Sequence, residues 1–200
     1  MLISLKRRFV FIANLKTAST SIERVLARHA EVALVQSRFG KHMGLTSVLD
    51  RFGFLFAEEP FERFFSFAVM REPAERLLSL YRSHQHEQFN GRPSLSTKGM
   101  SFEAFLDDWL PANQAQAESQ SSLLLDKRGR ASLTRIIRFE DLDRAFPAVR
   151  RDIGLPWPIG TRLPRLNPSA APSIGISDDA RARIAALYPE DTALYAALDP

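Results

Sequence analysis

The sequence predicts an α/β fold of three layers, a mostly parallel central sheet with helices on both faces. Two continuous apolar runs, FVFIA at 9–13 and FSFAVM at 65–70, read as strands covered on both sides. Each is followed by apolar residues at helical spacing. The same alternation returns in the C-terminal half, and alternating strands and helices define a parallel sheet with helical crossovers. At 200 residues the chain is long enough for one domain with a substantial core, and residues 1–200 read as that domain.

The opening MLISLKRRFVFI reads as a first strand that begins almost at once. Ile22, Val25, Leu26 and His29 then fall on one stripe of a helix. Residues 33–35 suit a second short strand, and 46–56 is ambiguous but can be helical. After the run at 65–70, Pro73 stands at a good first-turn position, and Leu77, Leu80 and Tyr81 continue a helix to about Glu87. FNGRPSLSTKGM at 89–100 is rich in turn formers. Residues 102–109 form a helix with Ser101 as its cap. Residues 132–139 make a third clear strand and 142–153 a further helix. Five prolines between 155 and 176 predict irregular chain, and Ser177 caps a final helix to about Tyr188.

Composition narrows the function classes. Apolar residues make up 45% and charged residues 25%, the balance of an ordinary globular protein. The net charge of +4 is a mild bias toward anions, weaker than nucleic-acid binding requires. Arginine supplies most of the positive charge, which suits fork-shaped contacts with phosphate or sulfate. Cysteine is absent, which removes disulfides, thiolate catalysis and cysteine zinc sites. With no apolar stretch of membrane-spanning length and no cleavable leader pattern, the expectation is a soluble, cytoplasmic protein.

Two strand-to-helix turns carry the chemistry. The first, LKTASTS, puts Lys16 at a strand end and Thr17, Ala18, Ser19, Thr20 and Ser21 at a helix start. A helix N-terminus offers unpaired N–H groups and a positive dipole end, and small side chains let an anion approach them. A plain helix cap beside an exposed lysine is the alternative. The pattern G-x-x-x-x-G-K-[ST] is absent, and no glycine occurs between Met1 and Phe39, which disfavours an ordinary ATPase or GTPase. The second turn, VMREPAERLLSLY, puts Arg71 at a strand end and Ser79 two turns into the next helix. A guanidinium fork and a hydroxyl can hold a second phosphate there. Pairing of Arg71 with Glu72 or Glu75 is the plainer reading. Two such turns at the carboxyl ends of parallel strands suit a nucleotide with two separate anionic groups.

LKTASTS resembles the 5'-phosphosulfate loop of the sulfotransferase family, and VMREPAERLLSLY its 3'-phosphate motif. KHMGLTSV at 41–48, SQSSLLLDKRG at 119–129, RFEDLDRAFPAVRRDIGL at 138–155 and LPRLNPS at 163–169 are similar, in order, to segments of its carbohydrate-type, Golgi-like branch. The family often has proline before the lysine and glycine at the third loop position, where this chain has Leu15 and Ala18. Membrane-anchored relatives also carry an N-terminal span and disulfides, so the chain resembles a compact, bacterial-style soluble member. The resemblance implies a P-loop-like version of the three-layer fold. It also implies transfer of a sulfuryl group from 3'-phosphoadenosine 5'-phosphosulfate (PAPS) to a hydroxyl or amine, releasing 3',5'-adenosine bisphosphate (PAP), without a metal. Lys16 would face the oxygen bridging sulfur and phosphorus, Thr17 to Ser21 would hold the 5'-phosphate, and Arg71 and Ser79 the 3'-phosphate.

A proton acceptor is also needed. His42 suits it by family position and by its ordinary pKa, with a surface histidine as the alternative and Glu58 or Glu59 as the fallback bases. His29 reads as structural, and His84 and His86 as a poor metal pair. Gln120, Ser121 and Ser122 resemble a segment near nucleotide or acceptor, but an exposed helix start accounts for them equally. DKRGR at 126–130 reads as a tight turn. Glu140 and Asp141 cap the next helix, or imitate the acid that a kinase of small hydroxylated molecules would use. A non-catalytic nucleotide or polyanion binder is the third reading. The acceptor, expected to be a glycan or small hydroxylated molecule, would meet the 89–100 loop and the 155–176 segment.

Overall fold

A computed structural model describes residues 1–35, 41–89, 91–155, 162–164, 166 and 175–198. Among the described residues the sheet has five strands in the order β3-β1-β2-β4-β5. They are β1 (Leu2–Ser4), β2 (Phe9–Ile12), β3 (Val32–Ala33), β4 (Phe65–Met70) and β5 (Arg135–Arg138). β2, β4 and β5 pair in parallel, with Ile12 opposite Ala68 and Met70 opposite Arg138. β1 pairs antiparallel with both β2 and β3.

The sheet is therefore mixed, and the expected mostly parallel sheet holds only for its β2-β4-β5 half. The opening residues form a hairpin, with Leu2 opposite Phe11 and Ser4 opposite Phe9. Its turn has no glycine or asparagine, and the left-handed position falls on Arg8, at φ 50°. A non-glycine residue there is disfavoured by about 1 kcal/mol or more, so the sequence lacks the usual turn signal.

Alternation along the strands sorts the core into two layers. Ile3, Val10, Ile12, Ala68 and Met70 pack on one side with α2 (Leu45–Phe52) and α6 (Gln120–Leu124). Leu2, Phe9, Phe11, Phe67 and Val69 face the other, against α1 (Ser19–Leu26) and α7 (Leu142–Asp152). Phe11 and Phe67 meet across the β2-β4 pair with ring centroids 4.9 Å apart. Each fully buried side chain of this size contributes about 1.5–3 kcal/mol, which fixes which face of each strand looks inward. Helices thus cover both faces, as expected.

A third apolar cluster joins α3 (Pro73–Ser83) and α8 (Asp178–Leu187) to a helical stretch made of α4 (Phe102–Ala104), a π turn at Phe105–Trp109 and α5 (Leu110–Ala112). Ser101 and Ser177 cap α4 and α8 through their hydroxyls, as the sequence predicts. α3 stops at Ser83, one turn short of the expected end, where Thr97 donates to the Tyr81 carbonyl at 2.7 Å. A further helix, α9 (Pro189–Ala196), follows the one expected to be last. Among the described residues no helix is long and apolar enough to cross a membrane.

Candidate active site

Parallel pairing brings the carboxyl ends of β2, β4 and β5 to one edge of the sheet. The chain leaving each strand lines a cleft of about 620 Å³: Leu15 to Ser21 after β2, Arg71 after β4, and Phe139, Glu140, Leu142 and Asp143 after β5. Ser79 and Arg82 from α3, and Lys41 and His42 from the chain before α2, complete the wall with Leu163, Pro164 and Leu166. Every residue the sequence singled out for the nucleotide or as first-choice base therefore lines one space. Glu58 and Glu59 do not; Glu59 pairs with Arg8 at 2.7 Å.

The first turn is built for close approach. α1 begins after Ala18, at φ 58°, with no side-chain cap on its first N–H groups, and Lys16 is also left-handed at φ 63°. Thr17 is fully buried, and its hydroxyl donates to the Asn14 carbonyl at 3.1 Å, so it braces the loop. The Thr20 hydroxyl accepts from Lys41 Nζ at 2.8 Å, and Lys41 also pairs with buried Glu23 at 2.8 Å. Burial holds the Lys16 ammonium below its ordinary pKa, and the neighbouring Arg71 and Lys41 charges push it lower still.

Arg71 stacks over the Phe139 ring at 4.4 Å and only grazes Glu75, at 4.0 Å. Glu72 and Glu75 are engaged elsewhere. Both pair with Arg181 of α8 at 3.1 Å, and Glu72 caps α3 by accepting from the N–H groups of Ala74 and Glu75. Burial lowers the Arg71 pKa despite Glu75 and Glu140 nearby.

His42 Nδ1 lies 2.8 Å from the Ala13 carbonyl. A carbonyl can only accept, so Nδ1 carries the proton and a neutral ring keeps its lone pair on Nε2. Burial, opposed by that hydrogen bond, lowers the His42 pKa. His42 also lines a second, smaller cavity of about 430 Å³ with Gly44, Thr46, Ser47, Arg51, Glu118 and Ser122. Gly44 gives close approach there, since a Cβ would sit 3.0 Å from Leu123 Cα where the start of α2 meets α6.

Several expectations shift. Gln120 is not at an exposed helix start but fully buried, and Ser119 caps α6. Asp141 stands before α7 yet gives its carboxylate to Arg144 at 3.0 Å, while Glu140 accepts from Tyr195 at 2.7 Å. DKRGR is the expected turn, with Asp126 accepting from the N–H groups of Arg128 and Arg130. His29 is half-buried beside Arg28. His84 is buried against Phe89 and Trp109 whereas His86 is exposed. The described part of the 89–100 loop lines neither cavity, and of the 155–176 segment Leu163, Pro164 and Leu166 reach the cleft. Residues 156–161, 165 and 167–174 lie outside the described residues. Lys41 lies in the KHMGLTSV segment and Phe139 and Asp143 in RFEDLDRAFPAVRRDIGL, but none of them was given a role. Arg82, just past VMREPAERLLSLY, lay outside every motif.

A parallel half-sheet whose strand ends converge on a cationic, hydroxyl-rich cleft defines an α/β protein with a site chemically suited to an anion. The chain belongs to the sulfotransferase family, whose family model matches residues 1–196. Among solved structures it is similar to a sulfotransferase from Alicyclobacillus acidocaldarius, with 16% identity over 96% of each chain and a TM-score of 0.47. No curated protein matches the chain. Among the described residues no group of three or more acidic, histidine or cysteine side chains is placed to hold a metal ion.

Proposed function

We propose that the protein is a PAPS-dependent sulfotransferase of the carbohydrate-type branch. In this reading it transfers a sulfuryl group by in-line displacement to a hydroxyl of a glycan or small polyhydroxylated acceptor. One observation carries the reading: a half-buried ammonium, Lys16, whose charged neighbours are the cations Arg71 and Lys41, stands at an uncapped helix start. Such a grouping is unfavourable alone and becomes favourable when an anion occupies the cleft.

PAPS supplies the sulfuryl group when bound. The Ala18–Ser21 helix start and the Ser19, Thr20 and Ser21 hydroxyls hold the 5'-phosphate, with Thr17 bracing the loop from beneath. Arg71 and Ser79 hold the 3'-phosphate. Lys16 stabilises the electron pair left on the phosphate oxygen as its bond to sulfur breaks, an electrostatic contribution of the kind that dominates many active sites. His42 takes the acceptor's proton on Nε2 as the new bond to sulfur forms. An acceptor hydroxyl in the second cavity meets the same imidazole. The Thr46, Ser47, Arg51, Glu118 and Ser122 side chains around it suit a polyhydroxylated molecule better than a flat phenol or a lipid.

Thermal-shift titration in EDTA tests the donor. PAP should raise the Tm strongly, AMP less and ATP little. Equal responses to PAP and AMP would remove the Arg71 and Ser79 assignment. Transfer of labelled sulfate from PAPS to oligosaccharides, compared with phenols and lipid alcohols, tests the acceptor class.

A further inference from the structure

The ladder between β2 and β4 closes with Ile12 opposite Ala68, yet the two anion-facing turns begin beyond it, at Asn14 and Arg71. Two side chains span that gap, Gln120 and Asn14. Gln120 Oε1 accepts from the Arg71 N–H at 3.0 Å and from Asn14 Nδ2 at 3.0 Å, while Gln120 Nε2 donates to the Arg71 carbonyl at 2.8 Å. The amide thus pairs with residue 71 as a neighbouring strand would, and joins it to the first turn. Asn14 extends the link by donating to the Val69 carbonyl at 3.2 Å and accepting from the Leu15 N–H at 2.7 Å. Gln120 is 0% exposed and Asn14 1%.

The amide is itself held from behind. Asp191 of α9 accepts from the N–H groups of Gln120 and Ser121 at 2.9 and 2.8 Å, and fully buried Arg76 stands 3.9 Å from that carboxylate. The Gln120 amide and the Asp191 carboxylate have both of their polar atoms hydrogen-bonded, and buried groups satisfied in this way hold one geometry. Arg76 Nε and Nη2, by contrast, make no hydrogen bond. Gln120 is absent from the cleft lining, so its influence on a bound anion must pass through the turns it joins.

We propose that Gln120 is a positioning residue that fixes the separation of the Lys16 turn from Arg71. In that role it sets the preference of the cleft for an adenylate phosphorylated at both the 3' and 5' positions over one phosphorylated only at 5'. The inference rests on the donor reading above. A residue that merely stabilised the fold would lower the Tm and leave the ratio of the two affinities alone. A spacer between subsites changes the ratio, and only while Arg71 is present to be misplaced.

The test is a double-mutant cycle in calorimetry, with PAP and AMP as probes in EDTA, on wild type, Gln120→Met, Arg71→Ala and the double variant. Gln120→Met, close in volume but without the amide, should lose roughly tenfold in the PAP-to-AMP affinity ratio, and should add no further loss of ratio in the Arg71→Ala background. Should Gln120→Met fail to fold, Gln120→Asn, whose amide stops one methylene short, reads the same ratio. A wild-type ratio that survives in the folded Gln120 variant, or losses that add in the double variant, overturns the positioning role alone. A wild-type protein indifferent to the 3'-phosphate overturns the donor reading and this role together.

Discussion

Arg71 lies close enough to Lys16 for its charge to depress the lysine's pKa, although 55 positions separate them in the chain. The two cations come from the carboxyl ends of adjacent parallel strands, and the fold holds them on one cleft against their repulsion. Two like charges held on one cleft weaken the free protein, and an anion between them would offset that cost.

Lys16→Met should therefore separate activity from stability. A lysine whose folded pKa lies below its ordinary value near 10.5 binds fewer protons folded than unfolded in the interval between the two. Stability due to it rises with pH across that window, and below it the charged form carries the full penalty. At pH 7 the variant should melt higher than wild type without ligand, while kcat falls by about 10²–10³-fold. Unchanged turnover with labelled PAPS would exclude Lys16 from the chemistry.

His42 predicts the acid limb of the pH profile. Its folded pKa is lowered from 6.5 by burial, so the neutral base persists as pH drops past 6.5. The limb in kcat/KM should fall below 6.5 and vanish, with most of the activity, in His42→Gln. Stability moves with a definite sign. Between the lowered pKa and 6.5 the unfolded chain binds the extra proton, so acidification through that window destabilises the fold and further acidification past it adds nothing from His42. A limb at or above 6.5 would count against this base.

Ala18 and Arg8 hold left-handed backbone without being glycine. Ala18→Gly removes the Cβ clash and also improves the cap of α1, against the entropy glycine adds to the unfolded chain. The net gain should be about 0.5–1 kcal/mol, seen as a higher urea midpoint at unchanged m-value. Arg8→Gly should act similarly in the hairpin, since its exposed pairing with Glu59 contributes little. A lower midpoint in both variants would contradict the strain.

Gly44→Ala tests the wall of the second cavity. The added Cβ meets Leu123 backbone at 3.0 Å and must push α6 away from α2. Destabilisation of about 1–3 kcal/mol is expected, with a raised acceptor KM. Gly53→Ala, where a Cβ meets nothing within 4 Å, is the control and should be close to neutral or stabilising.

Local pattern alone located β2, β4 and the helices after them, because an apolar run followed by a 3.6-residue stripe leaves few other ways to bury the same side chains. It also marked Lys16, Arg71 and Ser79, since each lies at or just after a strand-to-helix turn, whereas His42 came from the family resemblance and its ordinary pKa. The opening read as one strand rather than the antiparallel β1-β2 hairpin because Arg8, rather than glycine, occupies the left-handed turn position. The contacts among Asn14, Gln120 and Asp191 were out of reach for a different reason, although Gln120 stood in a segment the family resemblance had marked. Gln120 contacts Asn14 across 106 positions and Asp191 across 71, and no local periodicity records a hydrogen bond between residues so far apart. The sequence by itself determined which turns carry the cationic and hydroxyl side chains that line the cleft. Only the tertiary structure decided how far apart they stand, because that spacing is held by buried amide and carboxylate partners that distant elements bring together.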